Sequence, residues 1–191
     1  MNKDVITIVS GLPRSGTSMM MGMLEAGGLP VLTDRVRTAD EDNPKGYYEF
    51  ELVKKIETEQ GWLQAARGKA VKMISALLKY LPPTYSYQII FMRRSLAEVL
   101  ASQRQMLIRR GENPDAVDDA RMAALFEKHL AAIEQWLAAQ PHMRVLYVRY
   151  DEVVADALAQ ARRVNEFLGG GLDVDRMAAA VDRALYRQRQ R

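Results

Sequence analysis

Apolar residues fall into four short runs separated by longer amphipathic stretches. Val5–Val9, Ala70–Ile74, Gln88–Met92 and Arg144–Val148 are each five residues long and rich in β-branched or long aliphatic side chains. Runs of that length and composition read as strands buried on both faces. The intervening segments carry helical periodicity. Thr17–Ala26 ends at Gly27-Gly28, a helix stop. Leu96–Arg110 follows Ser95 and Glu98, spaced as a capping box, and ends at Gly111. Asn113-Pro114 restarts a helix that carries Met122, Phe126, Ile133 and Leu137 on one face and stops before Pro141. Ala157–Leu168 is closed by Gly169-Gly170-Gly171, and Asp173–Leu185 runs into a fraying basic tail, Tyr186–Arg191. Strands alternating with helices predict an α/β fold: a P-loop-like parallel sheet with helices on both faces, in a single compact domain over residues 1–191. One stretch, Leu32–Lys54, breaks the rhythm. It is dense in both charge signs and aperiodic, and after the first helix it can fold over the ligand edge of the strands.

Composition narrows the function classes. The chain has 191 residues, 48% hydrophobic and 27% charged, as a globular domain does. It has no Cys, which excludes a disulfide framework, a thiolate metal site and a thiol nucleophile. A net charge of +3 does not call for a nucleic-acid polymer. No apolar run approaches the ~20 residues of a membrane span, and no secretory h-region follows Met1, so the expected location is cytoplasmic.

The chemistry gathers where the first strand meets the first helix, in Gly11-Leu12-Pro13-Arg14-Ser15-Gly16-Thr17-Ser18. A strand, a glycine-bracketed turn and a helix start bring backbone N–H groups together on an anion, which the helix dipole also favours. A nucleoside-triphosphate loop of this kind carries Lys directly after the second glycine. Thr17 stands there instead, and the cation has moved inside the loop to Arg14. Arg93-Arg94 end the third strand where a magnesium-binding Asp would be sought.

These residues resemble the sulfotransferase family, in the form of its bacterial and tyrosylprotein branches. The resemblance rests on Gly11–Ser18 and on Arg94 with Ser102 eight positions later. Arg149-Tyr150-Asp151-Glu152 is similar to the family's acidic turn, and Asn165–Gly169 to its closing helix. The resemblance implies transfer of a sulfuryl group from 3′-phosphoadenosine 5′-phosphosulfate to an acceptor hydroxyl or amine, without a metal. It implies that Arg14, Ser15, Gly16, Thr17 and Ser18 hold the phosphosulfate, while Arg94 and Ser102 hold the 3′-phosphate. A planar guanidinium beside a hydroxyl suits phosphate oxygens. Arg93, one residue out of register, is left for a structural pair.

The chain departs from the family where the cytosolic members carry a Lys-Thr-His run. The matching segment is Val71-Lys72-Met73-Ile74-Ser75, which keeps the Lys and lacks the His. The resemblance assigns Lys72 to the transferring group. A branch without the His uses Glu, and Glu49 is the best-placed candidate base, with Asp34 second. His129 and His142 read as structural. Two rival readings stay open: a small-molecule kinase with a degenerate loop, and a non-catalytic nucleotide-binding module. The acceptor class, a small molecule or a peptide, is not specified by any pattern in the chain.

Overall fold

The structure, a computed structural model, describes residues 3–34, 46–114, 116, 118–182 and 184. The expectations for residues 35–45 and for the tail Tyr186–Arg191 fall outside these. Four parallel strands, β1 (Ile6–Gly11), β2 (Ala70–Lys72), β3 (Tyr87–Arg93) and β4 (Met143–Arg149), form one sheet in the order β2-β1-β3-β4. The chain leaves β1 for β2 on one side and returns to β3 on the other. The ends of β1 and β3 therefore flank the point where strand order reverses, the usual ligand crevice of such sheets.

Helices cover both faces, as the alternating pattern predicts. On one face Met20, Met21, Met23 and Leu24 of α1 (Thr17–Ala26) pack with Val9, Ile90 and Val148. Ala161 and Val164 of α6 (Ala157–Phe167) and Met177 of α7 (Val174–Ala179) join them. On the other face Ile133 and Leu137 of α4 (Asp119–Ala138) pack with Ile8, Phe91 and Leu78. The short α2 (Leu63–Ala66) and 3₁₀ turns at Glu51–Lys55 and Ser75–Tyr80 complete that layer.

Several element ends differ from expectation for local reasons. α4 begins at Asp119, not at Pro114, because the Asp118 carboxylate caps it, accepting from Arg121 N at 3.0 Å. α7 ends at Ala179, and beyond it the Asp182 carboxylate accepts from Ala184 N, a local bond that competes with helix. Arg149–Glu152 is not only an acidic turn, since Tyr150–Ala155 forms a further helix, α5. Asp151 and Glu152 lie in its first turn, where the dipole favours acids. The expected capping box at α3 (Leu96–Arg109) is absent. Ser95 makes no side-chain cap bond, and Glu98 turns to Arg94 instead. No helix among the described residues is long and apolar enough to cross a membrane.

Candidate functional site

The loop between β1 and α1 has its shape fixed from inside. Both donors of Ser15 go to the Leu12 carbonyl, the amide at 3.2 Å and the hydroxyl at 2.7 Å. Ser15 is buried, and its side chain shapes the turn. A Cβ at Gly11 would lie 2.5 Å from the Met92 carbonyl oxygen, so only glycine lets the loop pass the end of β3. Arg14 has φ 68°, a strained left-handed conformation for a side-chain-bearing residue. Gly16 precedes α1, whose first turn carries no acidic residue. The amides that begin this helix are thus free of a competing carboxylate on their own turn, as an anion site requires.

Cationic groups flank the loop on both sides. On the β3 side the Arg14 Nε donates to Ser102 Oγ at 3.0 Å, which brings together two residues 88 positions apart. Arg94 donates through Nη1 to the Arg14 carbonyl at 3.2 Å and through Nε to Glu98 at 2.9 Å. Both partners of the Arg94–Glu98 pair are buried, at 8% and 7% side-chain exposure. Arg93 pairs with Glu134 of α4 at 2.5 Å and stacks over Tyr147, the structural role expected of it. Burial foremost, and then the Glu134 charge, pushes the Tyr147 phenol up while Arg93 opposes, so Tyr147 stays neutral in ordinary buffers. A cavity of about 200 Å³ lies among Leu12, Met92, Arg94, Leu130 and Glu134.

On the β2 side Lys72, the last residue of its strand, donates to Ser18 Oγ at 3.0 Å and to the Tyr47 carbonyl at 2.6 Å. Tyr47 belongs to residues 46–50, which return along α1, where the Tyr48 hydroxyl donates to Glu25 at 2.7 Å. The described end of the irregular segment thus reaches the loop helix, as its position in the sequence implied. Glu49 stands two residues beyond Tyr47, half-buried, its carbonyl accepting from Thr33 Oγ1 at 2.8 Å. The Asp34 carboxylate accepts from Glu51 N at 2.7 Å, an engagement that caps the 3₁₀ turn. His129 Nε2 lies 2.8 Å from the buried Ser75 hydroxyl, tying α4 to the segment after β2. His142 sits edge-on to Tyr87 at the opposite end of β3 from Arg94.

Three contributors lie outside the residues that the sequence assigned to the site. Glu98 follows Arg94 at helical i,i+4 spacing, the one signal that marks this pair in advance. Tyr150 lies in the Arg149–Glu152 stretch already compared with the family's acidic turn, though no role was assigned to it, and Tyr47 carries no such signal.

A model of the sulfotransferase domain family matches residues 4–190. No curated protein sequence matches the chain. Among solved structures, the sulfotransferase domain from the curacin biosynthetic pathway is similar at 14% identity and TM-score 0.56, covering 97% of this chain and 90% of that one. Mouse sulfotransferase SULT7A1 complexed with PAP is similar at 19% identity and TM-score 0.57, over 93% of this chain and 62% of that one. Sulfotransferase STF1 from Mycobacterium tuberculosis H37Rv shares 16% identity at TM-score 0.56, over 93% and 70%.

Proposed function

The chain belongs to the sulfotransferase family, and from that premise we propose that it moves a sulfuryl group from 3′-phosphoadenosine 5′-phosphosulfate to the hydroxyl or amine of a small-molecule or peptide acceptor. The observation that carries this reading is the two-sided arrangement of cations about an acid-free helix start. Arg14, Arg94 and Ser102 stand on the β3 side and Lys72 with Ser18 on the β2 side. A donor with phosphate groups at both ends of its ribose suits such a divided site. Arg94 and Ser102 take the 3′-phosphate, and the amides of Gly16, Thr17 and Ser18 take the 5′-phosphate. Lys72 and the Ser18 hydroxyl then meet the sulfuryl oxygens.

Transfer follows from that placement. The acceptor oxygen forms a bond to sulfur on the β2 side while the bond from sulfur to the phosphate oxygen breaks. Glu49 removes the acceptor proton, and adenosine 3′,5′-bisphosphate leaves. Lys72 and Arg14 are fixed by hydrogen bonds before reaction, so they stabilise developing charge without reorganising. The loop and the returning segment hold donor and acceptor in line.

A thermal-shift comparison tests the donor class. Adenosine 3′,5′-bisphosphate is expected to raise the melting temperature strongly, since a ligand at 100 times its dissociation constant adds ~2.7 kcal/mol. AMP, which lacks the 3′-phosphate, is expected to raise it much less. Equal shifts for the two remove Arg94 and Ser102 from the 3′-phosphate, and a larger shift with ATP and magnesium favours the kinase reading.

A further inference from the structure

β3 and β4 pair in parallel, and their last matched residues are Arg93 and Arg149. The next residue on each strand is therefore set side by side, Arg94 on one and Tyr150 on the other. Tyr150 opens α5 and is buried, and its ring meets two parts of the site at once. The Arg94 guanidinium carbon stacks 4.4 Å from the ring centroid. The ring also lies under the loop: a Cβ at Gly16 would come within 2.4 Å of its Cδ2. Gly16 has φ 96° and is the last residue before the helix whose amides face the anion. Behind Arg94, Glu98 holds Nε, and Nη1 supports the carbonyl of Arg14, itself in a left-handed conformation.

We propose that Tyr150 is a positioning residue for the transfer, its ring bracing the Gly16 turn and the Arg94 guanidinium, with Glu98, in one fixed relation. The proposal rests on the donor reading given above. Left-handed backbone at a side-chain-bearing residue persists only where the surroundings over-determine it, and the brace supplies that constraint. The cation–π contact is shielded, because Arg94 is 8% exposed, so solvent weakens it little. A site braced in this way meets both phosphates of one nucleotide without paying an ordering cost on binding.

Hydrogen exchange on the full chain without ligand tests the brace. In Tyr150→Leu the amides of residues 14–18 are expected to exchange at least about tenfold faster, while those of β1 and β3 are unchanged. Tyr150→Phe keeps the ring and is expected to restore native exchange. Tyr150→Met keeps apolar bulk without a ring face, and the same loop response is expected from it should the Leu variant fail to fold. Titration calorimetry of the same variants is expected to show adenosine 3′,5′-bisphosphate binding weakened about tenfold, or about 1.4 kcal/mol. Native loop exchange in a folded Leu or Met variant overturns the proposal, as does native bisphosphate affinity there. A native chain that fails to bind the bisphosphate, yet whose loop exchange responds to Tyr150→Leu, supports the brace and overturns the donor reading alone.

Discussion

Glu49 and Lys72 illustrate how much of the proposed chemistry depends on single side chains. Lys72 is tied to the Tyr47 carbonyl, and Glu49 follows two residues later on the same returning segment. A carboxylate in that segment, which meets the loop helix, is the base of the proposed mechanism for an acceptor entering on the β2 side. Asp34 is the second candidate, and its carboxylate accepts from Glu51 N. Glu49→Gln keeps shape and removes the base. Sulfuryl transfer is expected to slow by about 10²–10⁴-fold, with bisphosphate affinity unchanged. The pH–rate profile of the variant is expected to lose its acidic limb. His129→Asn removes the bond to Ser75 and is expected to change melting temperature alone. A transfer rate that survives Glu49→Gln but collapses in His129→Asn reverses the two assignments.

At the scale of elements, the start of α3 shows where sequence reasoning reaches and where it stops. Ser95 and Glu98 have capping-box spacing, yet Glu98 also lies four residues after Arg94. A buried guanidinium is a stronger partner for a carboxylate than a solvated helix-start amide, so the ion pair forms and the cap does not. Arg94→Ala is therefore more than a binding mutation. It takes a charged partner from the buried Glu98, and stability is expected to fall by up to about 3–5 kcal/mol, read from urea unfolding. Arg14→Ala loses a bond to a neutral hydroxyl at a half-buried position and is expected to cost about 0.5–1.5 kcal/mol. Equal losses would mean that Glu98 is not held by Arg94 in solution. The four strands were legible as short apolar runs, and α1, α3 and α6 as helical periods between clear stops. α5 was not, for six residues give fewer than two turns, and its position follows β4 and the packing of Val153 and Val154. Likewise Gly11–Ser18, Arg94 and Ser102 were legible as local spacing. Tyr150 was legible only as part of an acidic turn, with no role at the site, because strand register brings it there, and chain return brings Tyr47.

The arrangement of the whole molecule decides which ions the reaction needs. Strand order β2-β1-β3-β4 sets the loop between two neighbours, each ending in a cation, Lys72 on one side and Arg93-Arg94 on the other. A triphosphate site places a Lys after its second glycine and recruits magnesium through the following hydroxyl and a strand-end Asp. Here Thr17 follows Gly16 and is nearly buried, and the strand ends present cations where a metal's carboxylate ligands would stand. On the proposed reading, positive charge from Arg14 and Lys72 does the work of a bridging cation. A sulfuryl group also carries less negative charge than a terminal phosphate, so it needs less neutralising. Chelation by EDTA is therefore expected to leave both bisphosphate affinity and sulfuryl transfer unchanged. Raising salt is expected to weaken binding, since the proposed contacts are to charged phosphates and depend on screening. Bisphosphate binding lost in EDTA and restored by magnesium would show that these side chains do not suffice, and would turn the assignment toward phosphoryl transfer.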